Sequence, residues 1–381
     1  MPRLLFVTHD YGRLGAQMML LHLLRALRHV RPAWELRVVA REPHGVLGPE
    51  FEALAPCDVF WREGGAREPG PHQARIREAL REWAPDLVYA NTAVNGDVTV
   101  FLDLAAPLVV HVHEMRTYLD LLDPPRRRAL VDQPAGWIAC AHAVKDVLVA
   151  DLALDASRIA VVHEAVDLDW IDARRGTADR GAARAALGLP HAARVVGSVG
   201  RIDARKGWDL FAAAARELLA GDDPAAPWHF VWLGHGPAHA DLRAAFDAVH
   251  HGDRLLAPGA RDNPFPYYAA MDFFAQASRE DPCPLTTIEA AYLGLPVVVF
   301  GPSGGAREVV GRGCGAVLPS IDAGALAAQL KAWASEPAAA TALGARGPAI
   351  VRDAHDVTRT AARIAARLER LLGSGRWTAD E

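Results

Sequence analysis

The sequence predicts an α/β protein with two doubly wound, parallel-sheet domains, and three observations carry that prediction. Apolar runs of strand length recur along the whole chain of 381 residues. They alternate with segments whose apolar residues fall at helical spacing, as in "AQMMLLHLLRALRHV". The series lapses once, near residue 165, and restarts after residue 193. Nearly continuous apolar strands are buried on both faces, which a parallel sheet covered by helices provides. A chain of this length also exceeds what one hydrophobic core usually supports.

The first series of strands reads "LLFVT" (4–8), "LRVVA" (36–40), "DLVYA" (86–90), "LVVHVH" (108–113), "WIACA" (137–141) and "IAVVH" (159–163). The second reads "RVVGSVG" (194–200), "HFVWLG" (229–234), "RLLAPG" (254–259), "FFAQAS" (273–278), "PVVVF" (296–300) and "GAVLP" (315–319). The predicted Rossmann-like domains are therefore 1–168 and 190–352, joined by the polar, Gly- and Ala-rich stretch between them. An amphipathic helix within 355–373 is expected to pack back across both domains. Ligands of open α/β sheets bind beyond the carboxyl ends of the strands, so the loops there are where chemistry is sought.

Composition excludes several function classes. With 51% hydrophobic and 23% charged residues, the chain reads as a soluble globular protein. No run approaches the roughly 18 apolar residues of a membrane span, and the N-terminus lacks a signal-like apolar stretch. A cytoplasmic protein is expected. Cys57, Cys140, Cys283 and Cys314 show no C-x-x-C spacing, which argues against a zinc site or a disulfide framework. The net charge of −5 speaks against nucleic acid as a partner. Up to residue 170 there are 18 Lys+Arg against 23 Asp+Glu, so the acidic excess lies in the first half. Only Lys145, Lys206 and Lys331 are lysines among 41 basic residues, so each marks a place where a compact cation is a candidate requirement.

Arg201 and Lys206 flank the loop "RIDARKG" after a predicted strand and just before a helix near Trp208. Two cations at a helix N-terminus suit a diphosphate; two solvated loop cations are the plainer alternative. "LGHGPAHA" is a poor dinucleotide fingerprint, with His239 at the third glycine position, and no Walker A loop is present. "DPCPLTTIEA" (281–290) places Asp281 in the exit loop of "FFAQAS" and Glu289 in the following helix. Thr286 and Glu289 fit a capping box, the structural alternative for that acid. A sugar nucleotide uses both ends of such a loop: amides and Thr hydroxyls hold phosphate, and carboxylates accept from sugar hydroxyls.

These segments together resemble the family-4 retaining glycosyltransferases of the GT-B fold. "DPCPLTTIEAAYLGLPVVV" matches that family's acid, seven residues, Glu and "EAxxxGxPVV" signature; "GRIDARKG" and "GHGP" match its diphosphate loop and its G-x-G-P element, all in order over residues 195–320. The resemblance implies two Rossmann-like domains facing across a cleft, the first binding the acceptor and the second the sugar-nucleotide donor. It implies no cofactor and no metal. Arg201 and Lys206 would grip the diphosphate, Asp281 the transferred sugar with amides near Cys283 and Leu285, Thr286 a phosphate and Glu289 the ribose. Asp281 replaces the commoner Glu, and Pro284 stands where Gly is common, which leaves the sugar open.

In the first half the same resemblance gives Gly15 a place at the donor phosphate and His113 a place facing the donor sugar. A turn glycine and a packed strand histidine are the alternatives. His111 and His113 share a strand face, yet no further ligands with metal-site spacing accompany them. Glu164 and Ala165 stand where the family usually has Asn-Gly before "VD". The triple arginine in "PPRRRALVD" offers either a weak peripheral membrane contact or a solvated helix end. The reading is transfer of a sugar from a nucleoside diphosphate donor to an acceptor hydroxyl. A GT-B-fold epimerase, a phosphorylase or a non-catalytic sugar-nucleotide-binding subunit remain as other readings.

Overall fold

A computed structural model describes residues 1–61, 70–176 and 179–379. The chain forms two compact units, one of residues 1–165 with 357–381 and one of residues 166–356.

The first unit is built on β1 (Arg3–Thr8), β2 (Glu35–Ala40), β3 (Cys57–Val59), β4 (Leu87–Asn91), β5 (Leu108–Val112), β6 (Gly136–Ala139) and β7 (Ile159–Val161). Among the described residues these pair in the order β3-β2-β1-β4-β5-β6-β7. The pairs are parallel, with Leu5 level with Arg37 on one side and with Val88 on the other. The short β3 was not among the predicted strands, because a three-residue edge strand carries too little apolar signal to be seen.

The helix Gly15–Val30 lays Leu20, Leu24 and Leu27 on this sheet against Leu4, Phe6 and Tyr89. The final helix, Val357–Ser374, is strongly amphipathic and packs its Val357, Ala361, Ile364 and Leu368 into the same core. Arg31 and Glu369 join the two helices by a bidentate pair at 2.6 and 2.9 Å.

The second unit holds β8 (Arg194–Val199), β9 (Trp228–Leu233), β10 (Leu255–Gly259), β11 (Phe273–Gln276), β12 (Val297–Phe300) and β13 (Gly315–Leu318). Their order, β10-β9-β8-β11-β12-β13, is the doubly wound 3-2-1-4-5-6 arrangement. Phe211, Phe230, Trp232, Phe246 and Trp333 fill the core on one side of the sheet. The sheet order reverses between β8 and β11, and that is the point where such sheets bind ligands.

The stretch expected as a plain connection is largely helical. Leu168–Arg175 and Arg180–Ala186 are helices, with Asp167 capping the first through Trp170 N and Asp179 the second through Ala182 N. Buried Arg184 donates to Asp272 at 2.5 Å and to the Ala270 carbonyl at 3.0 Å, fastening the second helix to the unit. Arg180–Ala186 is mostly alanine and arginine, good helix formers that leave no apolar stripe, and Leu168–Arg175 buries only Ile171, so periodicity overlooked both.

Candidate functional site

The loop after β8 and the loop after β11 meet at the reversal point of the second unit. Gly207 makes the meeting sterically feasible: its φ is +70°, and a Cβ there would lie 1.9 Å from the Ala277 carbonyl oxygen. Glycine alone allows this approach together with that conformation. Gly207 also opens the helix Trp208–Leu219, so the preceding Lys206 stands at a helix N-terminus. Gly234 of "GHGP" serves the same loop from β9, where a Cβ would meet the Gly200 carbonyl oxygen at 1.9 Å.

Lys206 Nζ donates to Asp281 Oδ2 at 2.5 Å. Asp281 is 3% exposed, and the same oxygen accepts from Ser278 Oγ at 3.1 Å and Gln276 Nε2 at 3.2 Å. Arg205 lies 3.9 Å from Oδ1 and donates to the Glu280 carbonyl. A buried carboxylate of this kind needs such partners, because its desolvation is otherwise unfavourable by several kcal/mol, on the order of the values for buried ions. The backbone of Asp281 is held as firmly, its N–H donating to Ser303 O at 2.7 Å. Gln276, Ser278 and Arg205 escaped the sequence reading. The alternation of Gln276 and Ser278 at the end of an otherwise apolar strand was the available signal.

Arg201 is exposed and pairs with Asp203 at 3.4 Å, so it stands on the same loop without joining the Lys206–Asp281 contact. Of the other lysines, Lys145 donates to the Ile159 carbonyl at 2.9 Å and Lys331 is an exposed helix residue. Only Lys206 among the three is paired with a buried acid at a strand end.

The helix Leu285–Tyr292 starts after Pro284, and no side chain caps it. The capping-box alternative for Glu289 therefore fails: Pro284 occupies the cap position, and Thr286 already lies inside the helix. Glu289 Oε2 instead accepts from the Tyr268 hydroxyl at 2.8 Å. Burial pushes the Glu289 carboxyl up to about 7, against the lowering effect of that hydrogen bond. Thr286 Oγ1 is buried and has no hydrogen-bond partner, an exceptional state for a hydroxyl in the first turn of a helix. Cys283 and Leu285 are buried at the same turn.

In the first unit Gly15 is exposed and is the first residue of its helix, and a Cβ placed on it would meet nothing within 4 Å. His113, just after β5, is buried, its Nδ1 2.5 Å from Glu164 Oε1 and its Nε2 3.0 Å from Asn91 Oδ1. Cys140 Sγ, a ring nitrogen of His113 and a carboxylate oxygen of Glu164 lie within 4.8 Å of one another, a gathering that sequence spacing gave no sign of. Two of the three arginines of "PPRRRALVD" are engaged by acids: Arg126 lies near Asp97 and Asp123, and Arg127 near Asp120. No helix among the described residues is long and apolar enough to cross a membrane.

Residues 14–170 match the family described as Glycosyltransferase Family 4, and residues 193–336 match Glycosyl transferases group 1. A D-inositol 3-phosphate glycosyltransferase of Kineococcus radiotolerans is 30% identical over 351 residues, spanning 83% of this chain and 78% of that protein. The chain belongs to the family-4 glycosyltransferases. This glycosyltransferase is also 29% identical over 340 residues to a 2-deoxystreptamine glucosyltransferase of Streptomyces kanamyceticus, covering 81% of the chain and 85% of that relative. Its fold is GT-B. A crystal structure of HepE from Anabaena in complex with UDP-glucose superposes with a TM-score of 0.80 at 21% identity, over 97% of this chain and all of that one. WaaG, a glycosyltransferase involved in lipopolysaccharide biosynthesis, gives 0.73 at 14% identity over 95% of this glycosyltransferase and 98% of WaaG.

Proposed function

We propose that this glycosyltransferase takes its sugar from a nucleoside diphosphate sugar, transfers it to an acceptor hydroxyl with retention of anomeric configuration, and needs no metal. The observation that carries the donor class is the pairing of Lys206 with Asp281 at the sheet reversal point, beside a helix whose first turn presents an unpartnered Thr286 hydroxyl. A cation, a free hydroxyl and uncapped helix amides are three complements to a phosphate. The complex of HepE with UDP-glucose supports the same donor class.

In this reading Lys206 and Arg201 stabilise the charge that develops on the departing diphosphate, an electrostatic contribution of the kind a metal ion makes elsewhere. Thr286 and the amides near Cys283 and Leu285 hold phosphate and sugar, Asp281 orders hydroxyls of the sugar, and Glu289 accepts from the ribose. Gly15 and His113 keep, as proposals, the roles given by the motif resemblance. Among the residues assigned here none is a free general base, and the departing phosphate oxygen takes the acceptor proton.

Thermal stabilisation by a panel of UDP-, GDP- and dTDP-sugars tests the donor class, since a ligand that binds only the folded state raises its stability by mass action. A nucleotide-dependent shift in the wild-type protein that Lys206→Ala abolishes is the expected result. No shift with any donor, or an equal shift in the variant, overturns the assignment. Analysis of the product anomer, with and without chelator, then decides retention and metal independence.

A further inference from the structure

Glu164 departs from the Asn-Gly pattern of the family, and the first unit shows what occupies that position instead. The residue follows β7, is 3% exposed and sets Oε1 2.5 Å from Nδ1 of His113. The other ring nitrogen, Nε2, faces Asn91 Oδ1 at 3.0 Å. The Asn91 amide cannot be turned round, because its Nδ2 donates at 2.9 Å to the Ala16 carbonyl, which only accepts. Oδ1 therefore faces His113, and Nε2 must carry a hydrogen. Nδ1 in turn faces a carboxylate oxygen, so a hydrogen must lie between those two atoms as well. Together the pair holds one proton more than a neutral imidazole beside an ionised carboxylate.

We infer that Glu164 is a positioning residue that holds His113 as an imidazolium with both N–H groups committed, so that His113 acts as a fixed charge and never as a base. The assignment of His113 to sugar transfer rests on the function proposed above; the protonation state does not.

The groups around the ring agree. On its own segment, the His111 ring lies tilted against that of His113, 4.0 Å between centroids, and shares a hydrogen bond of 2.6 Å between Nδ1 and the Tyr89 hydroxyl. Burial, and then the charge of His113, lower the His111 pKa, so it remains neutral. Glu114 Oε2 accepts from the backbone N–H groups of His113 and Ala93 at 2.9 and 3.0 Å. Burial raises the Glu114 pKa, and His113 opposes that rise. His9 acts on Glu114 in the same sense as His113. After β6, Cys140 contributes a buried thiol. Burial by itself lowers the pKa of His113, but the charge and hydrogen bond of Glu164, aided by Glu114, outweigh it and leave the pKa raised.

Two consequences follow for the fold and the chemistry. An imidazolium with both hydrogens spent has no lone pair with which to take a proton from an acceptor hydroxyl. It also orients Asn91, whose amide grips the first turn of the helix that Gly15 opens. Glu164→Gln keeps the shape of the network and removes its charge. A glutamine amide donates to Nδ1, leaving one hydrogen, on Nε2, where Asn91 still accepts it.

The test is NMR of the full chain carrying 15N-labelled histidine, with the His113 resonances assigned by their loss in His113→Gln. Wild-type His113 is expected to keep the two-proton pattern above the ordinary imidazole pKa of about 6.5. In Glu164→Gln the transition should move to lower pH by at least about one unit, the effect of removing a facing opposite charge. Glu164→Asp should restore part of the shift. A one-proton pattern for wild-type His113 near neutral pH overturns the inference, and that observation needs no variant to fold. An unmoved transition in folded Glu164→Gln overturns it as well. A transfer assay adds a separate arm in which the alkaline limb of the kcat profile moves to lower pH with Glu164→Gln. If the NMR shift is found and the limb does not move, the protonation state stands and the role of His113 in transfer falls.

Discussion

Replacing Glu289 with glutamine preserves the side-chain volume and an oxygen to accept from Tyr268, and removes only the titration. Burial raises the carboxyl from 4.5 to about 7 in the folded protein, so the folded state holds this proton more tightly than the unfolded chain does. The stabilisation is complete below about 4.5 and is lost as pH rises through about 7. At about 1.4 kcal/mol per pH unit, the gap is worth about 3 kcal/mol of stability forfeited by the wild type at pH 8 and not by the variant. For a unit of this size, about 2–4 °C per kcal/mol makes that a difference of roughly 10 °C in the melting temperature of the second unit. Thermal melts of wild type and Glu289→Gln, run at acidic pH near 4.5 and at pH 8, check it. The variant should melt together with the wild type in acid and well above it in alkali. A gap between the two proteins that is the same at both pH values refutes the reasoning, because a purely steric or hydrogen-bonding effect carries no pH dependence. Since a carboxylate must ionise to be acceptor-only, nucleotide affinity of the wild type should also fall as pH drops through about 7, which calorimetry against UDP measures.

Lys206→Ala strands the buried Asp281 carboxylate and should lower stability by about 3 kcal/mol by urea unfolding; adding Asp281→Asn should recover much of that loss, while nucleotide binding stays weak in both. Arg201→Ala, at an exposed position, should change stability by no more than about 0.5 kcal/mol yet weaken nucleotide binding in calorimetry. Gly207→Ala forces a Cβ onto the Ala277 carbonyl and should cost at least about 1–3 kcal/mol, with loss of nucleotide-induced stabilisation. Leu368→Ala opens a hole where the final helix packs into the core of the first unit and should cost about 2–5 kcal/mol, read as a lowered melting transition of that unit.

Strand order could not be read from the chain, but strand content could. Runs such as "LVVHVH" and "PVVVF" are apolar through successive residues because both faces of their sheets are covered, and that local cause leaves a local mark. The edge strand Cys57–Val59 and the helices Leu168–Arg175 and Arg180–Ala186 left none, since their stability comes from neighbours and caps more than from a pattern of their own. At the site, Lys206 stood out as a rare lysine and Asp281 as an acid fixed between a strand and a helix. That the two touch, with Gln276 and Ser278 on the same oxygen, is a fact about residues separated by some 75 positions.

The sequence by itself determined every strand segment but the edge strand Cys57–Val59, that two doubly wound sheets follow one another, and which residue types gather in the loops of the second. Those features depend on interactions between near neighbours, whose period and chemistry the chain spells out directly. Only the tertiary structure decided the partners: Lys206 with Asp281, Tyr268 with Glu289, Glu164 with His113. A hydrogen-bond partner and a degree of burial are set by the sheet order and by side chains arriving from distant segments. The same carboxylate that reads as a helix cap in isolation lies, in the folded unit, half-buried against Tyr268, where desolvation pushes it up to about 7.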